Sequence, residues 1–231
     1  MSEIGSTTGA RSYQYTRDPA SLTKFLRTML WILVGMGVVS MFSSLAQMSL
    51  LSSDTFSQAQ AESNDARQQA VAVIYLCAFV LTGIAFLKWI HRANLNCHGF
   101  GAQGMVYSPG WSIGYYFIPI LSLYKPYHAM KEIYAASRNP STWQNEMSTP
   151  LLGWWWALWL ISGFLGQASF RLTMAANTVE LLQASTTVSI IDDISQIILC
   201  IVAISLVSAV SMAQERLVGN HPEEGLPAGS P

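Results

Sequence analysis

Charge is what this sequence has least of. Lysine and arginine number 12 and aspartate and glutamate 13, so charged residues are 11% of the 231. A soluble globular protein carries roughly 25%. With a positive mean hydropathy as well, the composition excludes the soluble class. It holds no strong basic patch that would point to nucleic acid as a partner. Cysteine is also scarce, with Cys77 and Cys200 inside apolar runs and Cys97 in a loop beside His98. Without CxxC spacing they give neither a disulfide framework nor a zinc site. HExxH, GxSxG and paired-carboxylate motifs are missing too, so the sequence nominates no catalytic residue, metal or cofactor.

What the chain has is length without charge. Met29 to Leu51, Ala70 to Ile90 (past Lys88), Leu151 to Phe170 and Ile194 to Ala213 are apolar runs, each long enough to cross roughly 30 Å of hydrocarbon as a helix. These predict four spans, at 29–51, 70–90, 151–170 and 194–213. Asp18-Pro19 and Thr149-Pro150 are helix starts, an oxygen-bearing cap followed by a proline whose missing N–H costs nothing there. Ser63 and Ser189 are the expected caps of the second and fourth helices, with Asp192 and Asp193 in the fourth helix's first turn. Trp154, Trp155, Trp156 and Trp159 place the start of the third span at a membrane interface. A membrane domain over 18–218 would thus lie between disordered tails at 1–17 and 219–231. The rival for the first run, a cleaved signal peptide with Met29 to Phe42 as its apolar region and Ser44-Leu45-Ala46 as its site, fits poorly with the long leading tail.

Residues 89–127 are different. Trp89, Arg92 and Asn96 recur at helical spacing and share a face. Gly99-Phe100-Gly101-Ala102-Gln103-Gly104 has the letters of a dinucleotide fingerprint, but it follows a membrane helix and precedes a Tyr-Ser-Pro-Gly turn, so a flexible glycine loop is expected. Trp111 to Tyr124 is uncharged, bracketed by Pro109 and Pro126 and broken by Pro119. It is too short for a span. The expectation is an interfacial or re-entrant hairpin at 107–137, ending in an amphipathic basic helix from Pro126 whose Lys125, Lys131 and Arg138 meet anionic headgroups. A broken hairpin leaves carbonyls bare, which membrane depth punishes, and Arg92 and Asn96 on the facing helix are the donors expected to satisfy them.

Ten of the twelve basic residues lie in the N-terminal flank, the central loop and the C-terminal tail, leaving only Arg67 and Arg171 elsewhere. The positive-inside rule then puts both termini and the hairpin in the cytoplasm. A fifth crossing at 111–124 would weaken that asymmetry.

The remaining candidates have plain explanations. Asp192 and Asp193 invite an ion-pathway reading, yet acids in a first turn complement the helix dipole and would sit at the outer surface, as Arg171 does with opposite sign. His91, His98 and Cys97 lack the further ligands that a metal or haem needs. Ser40, Ser43, Ser44 and Gln47 on the first helix, with Ser205, Ser208 and Ser211 on the fourth, would either line a path or pack helices together.

The run Trp89-x-x-Arg92-Ala93-x-x-Asn96, then Ser108-Pro109-Gly110-Trp111-x-x-Gly114-x-x-Phe117-Ile118-Pro119-Ile120, Pro126 and Met130-Lys131-Glu132-Ile133 resembles the bacterial membrane family called domain of unknown function 4328. The resemblance spans about residues 25–215. It implies a multi-pass protein of the bacterial inner membrane with undetermined activity, and it assigns no catalytic residue. The sequence therefore reads as an all-α integral membrane protein, four transmembrane helices with a cytoplasmic-side hairpin between the second and third. Its expected role is non-enzymatic, an interaction or organising module that meets lipid, a membrane partner or its own copy. The alternative is a small transporter or membrane-embedded enzyme with the 107–126 hairpin as gate or lipid-facing site.

Overall fold

A computed structural model describes residues 13–53 and 55–219. Among these there is no strand, and the backbone is six helices joined by turns: α1 (Ala20–Leu51), α2 (Gln58–Gly99), α3 (Trp111–Gly114), α4 (Lys125–Arg138), α5 (Pro150–Ala175) and α6 (Val179–Gly219). Helices α1, α2 and α6 are long and apolar enough to cross a membrane. The expected third span is the correction, because α5 falls short of that apolarity. Its first turns are tryptophans with polar N–H groups, and Ser162, Gln167, Ser169 and Arg171 follow.

The long helices pack in the order α5, α6, α1, α2, each against the next. At Gly37 the α1 backbone meets α6 so closely that a Cβ would stand 2.9 Å from the Ile197 side chain. One end of the bundle is closed by α3, α4 and their connecting turns, and we call it the hairpin end. Tryptophan joins α2 to α5 there, with Phe86 6.0 Å from Trp155. At the far end, Gln47 bonds Thr186 at 2.8 Å and Gln183 bonds the Leu51 carbonyl at 2.9 Å. Hence α5 runs the whole bundle, from Trp156 on the Leu123 carbonyl (3.1 Å) to Thr173 on Ser185 (2.8 Å).

Helix starts follow local chemistry, with displacements. Thr149 caps α5 ahead of Pro150 as expected, while at α1 the N-cap is Pro19, one place after the expected Asp18, whose carboxylate takes the Ala20 N–H at 2.9 Å. Helix α2, however, begins at a Ser57–Gln60 capping box, not at Ser63. Helix α6 begins at Val179 with Thr178 accepting the Leu181 N–H at 3.3 Å, ten residues before Ser189. Asp192 and Asp193 are therefore inside a helix, and a first-turn dipole role no longer explains them. Between α2 and α4 the longest helix is four residues, so no helix long enough to cross a membrane forms there.

Candidate functional site

The last turns of α2 organise the hairpin end. Trp89 is 1% exposed and stacks on Phe86 at 5.9 Å. Asn96, also fully buried, acts like a neighbouring strand. Its Oδ1 accepts from the Arg17 N–H at 2.9 Å and its Nδ2 donates to the Arg17 carbonyl at 3.0 Å. Arg92 donates through one guanidinium nitrogen to the Asp18 carbonyl at 2.8 Å. Tyr13 and Tyr15 pack on Phe100, and Thr16 fills the space beside Gly99 that any Cβ there would occupy. Residues 13–17, expected in the disordered tail, thus lie along α2, while 1–12 and 220–231 fall outside the described residues.

Arg92 and Asn96 are donors to broken backbone, as expected, but to the wrong segment. They clasp Arg17–Asp18 and, among the described residues, make no bond to the hairpin. Gln214 of α6 completes the clasp, donating to the Ala93 carbonyl (3.0 Å) and Ser137 (2.9 Å) and accepting from Asn96 (3.4 Å). One buried amide cluster therefore joins the N-terminal segment, α2, α4 and α6.

The hairpin's backbone is held by residues to which the sequence assigned no such role. Buried Asn94 donates to the Tyr107 carbonyl at 3.0 Å. The Glu132 carboxylate accepts the Val106 and Tyr107 N–H groups at 3.1 and 3.2 Å. The Trp143 indole reaches the Gln103 carbonyl at 2.8 Å and Trp156 that of Leu123 at 3.1 Å. Burial pushes the Glu132 carboxyl above its usual range, opposed by the Tyr107 and Val106 N–H groups and by His98. A lone acid among the apolar and basic residues of α4 was the available signal for Glu132. Asn94 had none beyond its place in the same helix.

The glycine loop is turn geometry. Gly101 and Gly104 have φ of +83° and +76°, the left-handed region that side chains resist. Ser108 accepts the Trp111 N–H at 3.4 Å and the Pro109 carbonyl accepts the Ser112 hydroxyl at 2.7 Å, so the two start α3. A Cβ on Gly114 would lie 3.2 Å from the Trp111 ring. At Pro119 the chain turns sharply. The Leu121 N–H bonds the Pro119 carbonyl at 2.8 Å, with Ile120 at φ 69°, ψ −53°, a γ-turn of the rare, strained hand. Pro126 is buried in the first turn of α4. Around this frame stands an exposed apolar rim: Val106, Trp111, Phe117, Ile120, Leu123 and Tyr124, with Phe117 and Ile120 73% and 74% exposed. Lys125 lies 5.5–5.8 Å from the rings of Tyr107, Tyr115 and Tyr124, within cation–π range. Lys131 is exposed, and Arg138 pairs with Glu146 at 3.4 Å.

His98 is exposed while Cys97 is buried against Ser137 at 3.3 Å, so the two do not converge. No group of three possible metal ligands occurs among the described residues. The small hydroxyls mostly pack helices: Ser162 meets Ser195 at 2.8 Å, Ser169 meets Ser189 at 2.6 Å and Ser211 meets Thr23 at 3.3 Å. Ser205 and Ser208 bond carbonyls of their own helix. Near the far end Arg67 bonds Ser43 and Asn64, and Asn64 bonds Gln47. The Oδ2 of Asp193 and the Oδ1 of Asp192 are buried without a partner.

An all-helical bundle with three helices able to cross a membrane and a bonded, aromatic hairpin closing one end defines a helical protein of the membrane class. More narrowly, the chain belongs to the family described as Domain of unknown function (DUF4328), whose profile matches residues 52–212. That match takes in α2 through most of α6 and all of the hairpin. No curated protein and no solved structure matches the chain.

Proposed function

We propose that this is a multi-pass protein of the bacterial inner membrane acting as a non-enzymatic interaction or organising module, with its hairpin end in the cytoplasm. The observation that carries the reading is the exposed rim of Val106, Trp111, Phe117, Ile120, Leu123 and Tyr124 on a backbone fixed from four sides. Apolar side chains held out on a strained turn suit an interface of lipid or of a membrane partner better than water. Lys125, Lys131 and Arg138 beside it suit anionic headgroups, and the same rim would serve a second copy of the chain. The distribution of basic residues favours the cytoplasmic side. The clasp of Arg17 to Asn96 and of Asn96 to Gln214 supports placing the start of α1 and the end of α6 at one face. In this reading α5 traverses the same thickness, shielded along α6.

Spin labels at Phe117→Cys and Ile120→Cys, in a Cys77→Ser background in lipid nanodiscs, test the rim. They should meet oxygen dissolved in the bilayer and be shielded from a water-soluble relaxation agent, unlike a label at Gln103→Cys. Equal water access at all three positions defeats the interfacial hairpin. Reporter fusions after Val218 test the orientation, and a reporter active only outside overturns it. The bare oxygens of Asp192 and Asp193 favour a second reading, a small transporter passing protons or cations along that pair. Proton or cation flux into proteoliposomes, abolished by Asp192→Asn with Asp193→Asn, would replace the first reading with this one.

A further inference from the structure

Beside the clasp, on the outer face of α2, lies a groove of about 370 Å³ between α2, the N-terminal segment and α3. Arg17, Lys88, His91 and Arg92 line its polar side, and Ile84, Leu87 and Ile113 its apolar side. No carboxylate takes part in the lining. The adjacent acid, Asp18, accepts the Ala20 N–H through Oδ1 at 2.9 Å and forms no ion pair, and among the described residues the one ion pair is Arg138 with Glu146, elsewhere. Three basic side chains therefore line one groove with none of them in an ion pair, an arrangement that an anion would complement. Among the described residues Arg92 makes one side-chain hydrogen bond, to the Asp18 carbonyl, which leaves further guanidinium donors for a ligand.

The groove's long axis fits one class of occupant. Ile84 and Leu87 precede Lys88 on α2, so the apolar wall runs toward the mid-span and the charges cap its hairpin end. The mid-span side of α2 is itself exposed and apolar, through Val73, Leu76, Val80 and Ile84. An occupant that is anionic at one end and hydrocarbon along the rest matches both walls. We propose that this groove is a binding site for one anionic phospholipid, its phosphate held by Arg17, Lys88 and Arg92 and an acyl chain lying on Ile84, Leu87 and Ile113. This rests on the reading that the hairpin end lies at a membrane face, but it names a site apart from the exposed rim and its Lys125.

The site ties the lipid to the clasp. Arg17 and Arg92 hold the N-terminal segment on α2 through the Arg17 backbone and the Asp18 carbonyl, so a phosphate bridging their side chains would tighten that junction. The lipid would then act as a stabilising ligand of the folded chain, which binds the native state alone.

Native mass spectrometry of the full-length protein, released from nanodiscs holding equal phosphatidylglycerol and phosphatidylcholine, is the first test. One phosphatidylglycerol per chain should be retained in preference. Absence of preference overturns the proposal without touching the topology, which the reporter fusions read separately. The second test compares affinity for phosphatidylglycerol in Arg17→Gln/Lys88→Gln, Arg17→Lys/Lys88→Arg and Lys24→Gln/Arg27→Gln. Near an anionic surface each basic residue is worth about fivefold in affinity, so the first pair should weaken binding roughly 25-fold. The charge-keeping pair should bind like wild type, and so should the third pair, which removes equal charge from the same end. Equal losses in the first and third pairs mean diffuse attraction and overturn the site, as does an unchanged first pair. Should glycerol phosphate compete as well as phosphatidylglycerol, the site takes free phosphate and the lipid assignment falls. If Arg17→Gln/Lys88→Gln fails to fold, the preference measured on the wild type still decides.

Discussion

The two halves of α2 are built from similar apolar residues and lead different lives. Val73, Ile74, Leu76, Phe79, Val80, Leu81 and Ile84 are largely exposed, whereas Ala85, Trp89, Ile90, Ala93 and Cys97 are buried. In water such a contrast would mark the first half as sticky. In a bilayer it marks a surface already solvated by acyl chains, where burial against protein gains little because lipid is as apolar as leucine. The second half is buried by shape and by hydrogen bonds, which lipid cannot supply. The hairpin end is then where this fold stores its specificity, and substitutions should hurt there and be forgiven at mid-span.

The largest effect should come from Trp89→Ala, about 3–5 kcal/mol for a buried indole, against less than about 0.5 kcal/mol for Leu76→Ala on the exposed half. Thermal unfolding in detergent measures both, and equal losses would break the comparison. Next, Asn96→Leu strands the Arg17 N–H and carbonyl together and should cost about 2–3 kcal/mol. Arg92 makes one partly exposed bond to the same segment, so Arg92→Leu should cost about 1 kcal/mol and Arg92→Lys should restore most of it. A lysine that rescues nothing would mean that the planar fork is used after all.

Glu132→Leu, leaving the Val106 and Tyr107 N–H groups bare, should cost about 2 kcal/mol at pH below the carboxyl's range. The carboxyl is raised above its ordinary 4.5 in the folded state, so the fold binds its proton more tightly than the unfolded chain does. Stability from this group is complete below pH 4.5 and declines as pH climbs through the raised value. Glu132→Gln should flatten that decline, and an unchanged pH profile would show that another group causes it. Smallest of all, Ile120→Gly should gain up to about 1 kcal/mol. It relieves a left-handed β-branched residue worth roughly 1–3 kcal/mol of strain, partly offset by glycine's backbone entropy. If the same change frees spin labels at Phe117→Cys to meet water, the strain serves to hold the rim out.

Much of the candidate site was legible as residues and little of it as partners. Pro109, Pro119 and Pro126 were singled out as breaks, and each sits at one: Pro109 ahead of α3, Pro119 at the γ-turn and Pro126 in the first turn of α4. Arg92 and Asn96 were singled out as donors to broken backbone. Their acceptors were misassigned because Arg17 is 79 positions from Asn96, and no periodicity links them. Asp192 and Asp193 were read as a first turn because a serine cap stood nearby, while the actual start lay at Thr178.

By itself the sequence determined what depends on neighbouring residues. Runs without charge make helices of membrane length, proline and glycine fix where those helices cannot continue, and scarce cations mark one end. Tertiary structure alone decided which face of α2 is left exposed and which meets protein, since hydrocarbon and a protein core favour the same side chains. It also decided which carbonyl each buried amide serves. A hydrogen bond needs its partner within about 3 Å, and that distance is set by how the helices lie together, not by their order in the chain.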